Sequence, residues 1–245
     1  MRTHKHSIIK LPDASAVAEY AANKFIKISS DAEKDKAIKH ISLSGGNTPA
    51  ILFKMLASDN YKDQINWRNI HLWWGDERAV SPDNPESNFG NAKKLLLLKI
   101  SIPPDNIHRI QGELKPENAA EKYSLEIIDH IPFINGLPAL DWTILGMGDD
   151  GHTASLFMID NNFYTENLTD VTAHPQSGQE RITLTQKMLC ASKQITFLVT
   201  GKNKAAKTEE ILGVKTQANE YPASHIWSEN GMTEWALDEE AAKLL

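Results

Sequence analysis

Short apolar runs alternate along this chain with longer stretches whose apolar residues recur at helical spacing. The runs predict strands over 37–44 (AIKHISLS), 69–75 (NIHLWWG), 106–110 (NIHRI), 140–148 (LDWTILGMG), 194–201 (QITFLVTG) and 233–238 (TEWALD). The wider period predicts helices over Ala14–Ile28, Pro49–Leu56, Ser87–Leu98, Pro116–Asp129 and Asn203–Leu212, and a short one at the C-terminus. Strand and helix in repetition predict an α/β fold, a Rossmann-like parallel or mostly parallel sheet with helices on both faces. No repeat, low-complexity tract or long linker divides the chain, so residues 1–245 read as one domain.

Open sheets of this kind bind ligands at the carboxyl ends of their strands, near a switch in strand order. The polar clusters fall at such ends. SGGNTP follows the first run, GDER the second, GDDGHT the fourth and GKNK the fifth. Four clusters on one edge of one sheet imply a single site.

In SGGNTP, Gly45 and Gly46 allow a sharp turn, with Thr48 as the expected N-cap and Pro49 in the first helical turn. Free amides there, with the side chains of Ser44, Asn47 and Thr48, suit an anion at a helix N-terminus. The plain alternative is a well-capped turn with no ligand. The loop has neither the Gly-Lys-Ser/Thr of a Walker sequence nor G-x-G-x-x-G. In GDER, Arg78 offers a fork for a carboxylate or phosphate, and Asp76 an acceptor for a proton or a sugar hydroxyl. A salt-bridged strand end is the alternative there, and Ser87 or Asn88 reads as the cap of the next helix.

GDDGHT places Asp150 two residues before His152. A carboxylate beside an imidazole holds its tautomer and raises its basicity, as general-base chemistry needs. Gly146-Met147-Gly148 lacks the third glycine of a nucleotide loop, and one histidine with nearby aspartates is a thin metal set. His4, His6, His40, His71, His108, His130, His174 and His225 lack such context and read as surface or structural. In ERITLTQKM, Arg181 beside threonines suits phosphate, the alternative being an edge strand with a polar outer face. Lysines are disfavoured at a helix N-terminus, so their presence in GKNK hints at a bound anion. Lys202, Lys204 and Lys207 cannot all serve one site.

Charge narrows the partners. Against 26 Lys and Arg stand 32 Asp and Glu, a net charge of −6, which argues against a nucleic-acid or acidic-membrane partner. An anionic ligand therefore needs a local cluster of cations. Cys190 is the single cysteine, in the apolar QKMLCAS, and reads as a buried thiol. No Cys/His spacing suggests zinc, and the four leucines at 95–98 are too short to span a bilayer. The N-terminal stretch lacks the apolar core of a signal peptide, so the expected location is cytoplasmic.

Taken together, LSGGNTP, WWGDERAVSPDNPESNFGNA, LGMGDDGHTASLF, RITLT, VTGKNKA, YPASHI and WALD resemble the 6-phosphogluconolactonase family, in its order, from about Leu43 to Asp238. That family sits in a wider group with glucosamine-6-phosphate deaminase and ribose-5-phosphate isomerase. The resemblance implies hydrolysis of 6-phospho-D-glucono-1,5-lactone to 6-phosphogluconate in the oxidative pentose phosphate pathway, with no cofactor and no metal. It implies a small sugar-phosphate lactone as partner and a monomer or weak homo-oligomer. It places the catalytic base on His152, beside Asp150, Arg78 and Asp76. The phosphate falls on Ser44, Gly45, Gly46, Asn47 and Thr48, with Arg181 and Lys204 as cations. The glycines of LGMGDDGHT then read as room for a sugar ring. Asn47, Met158 and the VSPDNP loop depart from the family's usual residues. Two other activities share the scaffold. An amino-sugar-phosphate isomerase and deaminase would carry a glutamate five residues after the histidine, where this chain has Phe157. A non-catalytic sugar-phosphate sensor would not need the Asp150/His152 pair.

Overall fold

The computed structural model describes residues 6–157, 163–213 and 220–245; His4 and Met158 lie outside them. The strands are β1 (His6–Leu11), β2 (Lys39–Leu43), β3 (Ile70–Trp74), β4 (Asp76–Arg78), β5 (Phe133–Ile134), β6 (Leu137–Pro138), β7 (Trp142–Leu145), β8 (Thr169–Ala173), β9 (Glu180–Leu184), β10 (Gln194–Val199) and β11 (Met232–Asp238). The α-helices are α1 (Ala14–Asp35), α2 (Asn47–Leu56), α3 (Asn88–Leu95), α4 (Pro116–His130), α5 (Gln186–Cys190) and α6 (Ala205–Leu212). None of the described helices is long and apolar enough to cross a membrane.

Six strands form the main sheet in the order β1-β11-β10-β7-β2-β3, every pair parallel. The sheet is the expected one, held by near-continuous burial of the strands from β10 to β3: Ile41, Leu43, Leu72, Trp73, Trp74, Ile144, Leu145 and Phe197 are all buried. Phe197 and Trp235, register partners on β10 and β11, stack with centroids 3.9 Å apart. Helix α1 packs on the sheet and on α2, and places Phe25 edge-on against Trp142 at 5.0 Å. Helix α4 packs on β8 and β9, and its Tyr123 hydroxyl donates to the carbonyl of Trp74 and accepts from the Trp74 amide.

A separate antiparallel sheet runs β4-β9-β8. The segment bearing Arg181 is thus the middle strand of this small sheet rather than an edge strand. Its register puts Arg78 opposite Arg181.

Three expectations are corrected. Residues 106–110 form no strand: one bridge joins Ile107 to Leu72, and Asn106 spends its side-chain amide on the carbonyls of Trp67, Arg68 and Ile70. The C-terminus ends in turns anchored by Asp238, whose carboxylate accepts from the amides of Gly201 and Ala241. The sheet also has a strand outside the expected runs, β1, which lies at its edge and is exposed or half-exposed along its length.

Candidate active site

Chain order sets where the sheet opens. From β2 the chain moves outward to β3; β7 then lies on the other side of β2, followed by β10, β11 and β1. The direction reverses between β2 and β7, so the loops leaving their carboxyl ends diverge and leave a cleft of about 450 Å³. Every residue that the sequence assigned to catalysis or to the phosphate lines this cleft except Asp150, which stands behind His152.

The 44–48 loop enters from β2. Gly46 adopts a φ of +106°, and as the N-cap it starts α2 two residues earlier than expected. Thr48 is therefore not the cap. It lies in the first turn, with its hydroxyl 2.7 Å from that of Thr200 at the end of β10. No side chain caps the helix, and its first-turn amides have no intrahelical acceptors. Asn88 of α3 packs directly over Gly45, where a Cβ would come within 1.8 Å of Oδ1.

The loop leaving β7 is a tight coil around one imidazole. The Gly148 amide donates to the carbonyl of His152 at 2.8 Å, and the Thr153 hydroxyl to that of Gly146 at 2.8 Å. Asp150 Oδ1 lies 2.5 Å from His152 Nδ1 and also accepts from the His152 amide at 3.2 Å. Partial burial disfavours the Asp150 anion, but the neighbouring imidazole and its hydrogen bonds outweigh this and hold the carboxyl below its ordinary value. An ionised Asp150 fixes the proton on Nδ1 and leaves the Nε2 lone pair to act as a base. A Cβ on Gly148 would come within 2.1 Å of His152 Nδ1. This glycine makes room for the imidazole; at Gly146 an added Cβ would meet nothing, and both glycines line the cleft.

The remaining wall is β4 facing β9. Asp76 is buried and fixed, Oδ2 accepting from the Ser155 hydroxyl at 2.7 Å and Oδ1 from Asn88 Nδ2 at 3.2 Å. Arg78 donates from Nη1 to the Glu86 carbonyl at 2.5 Å, and Arg181 from Nη2 to Gln179 Oε1 at 3.1 Å. Both Nε atoms are buried without a partner. Burial, and then the like charge of Arg78, lower the Arg181 pKa. Two guanidiniums held this way, short of acceptors, suit an anionic ligand.

Of the three lysines near the start of α6, Lys204 lines the cleft, while Lys207 is engaged by Glu210 and the Tyr221 hydroxyl. Lys204 Nζ is paired with Asp149, which also accepts from Asn203 Nδ2 at 2.7 Å. The hydrogen bond from Lys204 holds the Asp149 carboxyl below its usual range. Among the described residues no group of three or more His, Cys, Asp or Glu is placed to hold a metal ion.

Glu77 escaped the sequence reading. Its buried carboxylate accepts from the amides of Arg78, Asn88 and Phe89 at 2.7–2.8 Å and from the Ser87 hydroxyl at 3.0 Å. Burial still pushes its pKa up. Glu77 ties the polar loop to the start of α3 and so sets Asn88 over Gly45 and Asp76. The middle charge of GDER received no role of its own; the clue was the Ser87-Asn88 helix start ten residues on, which needs an acceptor.

Residues 12–235 match the family described as glucosamine-6-phosphate isomerases/6-phosphogluconolactonase. Among similar proteins, a 6-phosphogluconolactonase of Aggregatibacter actinomycetemcomitans is 48% identical over 97% of this chain and 99% of its own. Another, of Haemophilus influenzae, is 52% identical over 84% of this chain and 87% of its own. The crystal structure of a devB protein superposes with a TM-score of 0.92 at 46% identity, covering 98% of this chain and 99% of that one.

Proposed function

Because this chain belongs to the glucosamine-6-phosphate isomerase/6-phosphogluconolactonase family and hydrolyses the lactone of 6-phosphogluconate, we propose that His152 is its general base. The observation that carries this reading is the 2.5 Å contact of His152 Nδ1 with Asp150 at the wall of the cleft. Water gives a proton to Nε2 as its oxygen bonds to C1 of the lactone. The charge that develops on the carbonyl oxygen is met by Arg78. The tetrahedral intermediate collapses with cleavage of the bond from C1 to the ring oxygen. That oxygen takes the proton back from the imidazolium and leaves as the C5 hydroxyl. Asp150 stabilises the imidazolium meanwhile, and Asp76 is placed to accept from a sugar hydroxyl.

The phosphate is assigned to the 44–48 loop with Arg181 and Lys204. Holding it there contributes orientation at a carbon remote from it. The amino-sugar deaminase reading lacks its carboxylate, since Phe157 occupies that position. The substrate class is the sugar-phosphate lactone, supplied by oxidation of a hexose phosphate at C1.

The test generates the lactone enzymatically and follows its loss. His152→Ala is expected to lower kcat about a thousandfold while leaving the fold intact, general-base catalysis being worth about 10²–10⁴. Near-normal turnover in a folded His152→Ala protein overturns the assignment.

A further inference from the structure

Phe157 does not line the cleft, yet its ring meets two of the groups that do. Its centroid lies 4.7 Å from that of His152, the planes inclined by 53°. The Arg181 guanidinium lies over the same ring at 5.7 Å, and His174 meets it edge-on at 5.0 Å. Among the described residues, His152 and Arg181 each have a single side-chain hydrogen bond, to Asp150 and to Gln179. One hydrogen bond fixes one atom and leaves a planar group free to swing about it. Contact with an aromatic ring at a second point restricts that swing, and for a guanidinium it adds the attraction of the π cloud.

We propose that Phe157 is a positioning residue: one aromatic ring, shared by His152 and Arg181, sets the distance between the proposed base and the proposed phosphate-binding cation. The substrate's reacting carbon and its phosphate are joined by a short carbon chain, so the separation of the two protein groups must match it. The inference rests on the roles given above to His152 and Arg181. It gives position 157 a task of its own in this chain, beyond the lack of the deaminase carboxylate.

The experiment compares Phe157→Leu, which keeps apolar bulk without a flat face, with Phe157→Tyr, which keeps the ring. Phe157→Leu should lower kcat about tenfold and raise KM about fivefold, misplacement of about 1 Å being worth up to a hundredfold. Phe157→Tyr should recover most of both losses. In an Arg181→Gln background the KM effect of Phe157→Leu should disappear, because the group it acts through is gone. Thermal unfolding checks that each variant is folded, and Phe157→Met replaces Phe157→Leu if the latter is not. Wild-type kcat and KM in the folded leucine or methionine variant would overturn the proposal. So would a KM effect that persists undiminished beside Arg181→Gln, which marks a general packing role. His152→Ala assayed in parallel separates the two readings: an active His152→Ala removes the base assignment, whereas an inactive one beside an unaffected Phe157→Leu removes the positioning role alone.

Discussion

Histidines gather at the two opposite ends of the sheet, each time beside a carboxylate. At the carboxyl ends of the strands, His152 Nδ1 lies 2.5 Å from Asp150. At the amino ends, His108 Nδ1 lies 2.7 Å from Glu126, and its Nε2 lies 2.8 Å from His71 Nδ1. On hydrogen bonding alone these are the same dyad. Packing separates them. The His108 ring is 3% exposed and stacks on Trp73 at 4.0 Å with a 7° tilt, and His40 accepts from the Trp73 indole at 3.1 Å. His130 closes the group, its ring centroid 4.8 Å from that of His108. The His152 side chain is 26% exposed and borders a cleft. Acid–base catalysis needs a proton partner within reach. His40 and His108 are buried, His71 is half-buried and His130 exposed, and none of the four lines the cleft, so the group reads as part of the fold's packing; an imidazole with its carboxylate is placed for catalysis only where it also faces a ligand site.

That contrast breaks first under carboxylate replacement. Asp150→Asn should lower kcat about a hundredfold with little change in stability, because the amide no longer fixes the Nδ1 proton or stabilises an imidazolium. Glu126→Gln should leave kcat unaltered. Steady-state kinetics on both variants checks the pair, and equal losses would erase the distinction. Next in size is the stack itself. His108→Ala removes a buried ring from Trp73 and should cost about 2–4 kcal/mol in a urea titration with kcat unchanged.

The smallest effect is a slope. Burial first, then the neighbouring imidazoles, lower His40 and His71 from 6.5 to about 4 in the folded chain. A depressed folded pKa means that the unfolded chain binds more protons between the two values. The stabilisation is complete above about 6.5 and is lost as pH falls towards about 4. Urea midpoints measured across that window should fall on acidification, and His40→Gln should flatten the slope.

Much of the central sheet was legible because buried parallel strands are written as apolar runs. The four cation- and glycine-bearing clusters were legible because topology forces strand ends together. What stayed hidden depended on contacts between distant residues. His71 and His108 read as separate surface or structural groups, and only the approach of residues 106–110 to β3 brings them together. Thr48 looked like a cap, but a left-handed Gly46 moved the start of α2 and left the threonine to bond Thr200. The Phe157 ring showed only what it lacked; its place between His152 and Arg181 depends on β9 passing behind the loop. Glu77 passed unassigned because a buried carboxylate is legible only once its four donors are in place.

The pairing of Lys204 with Asp149 gives the cleft a particular economy of charge. On the assignment of Lys204 to the phosphate, ligand does not meet a bare ammonium; it meets one that already carries a carboxylate and has two of its three donors left. Part of the cation's charge is answered before the ligand arrives, and affinity in the ground state is moderated accordingly. Since substrate and product carry the same phosphate, uniformly tighter binding there would retain product without speeding the chemistry.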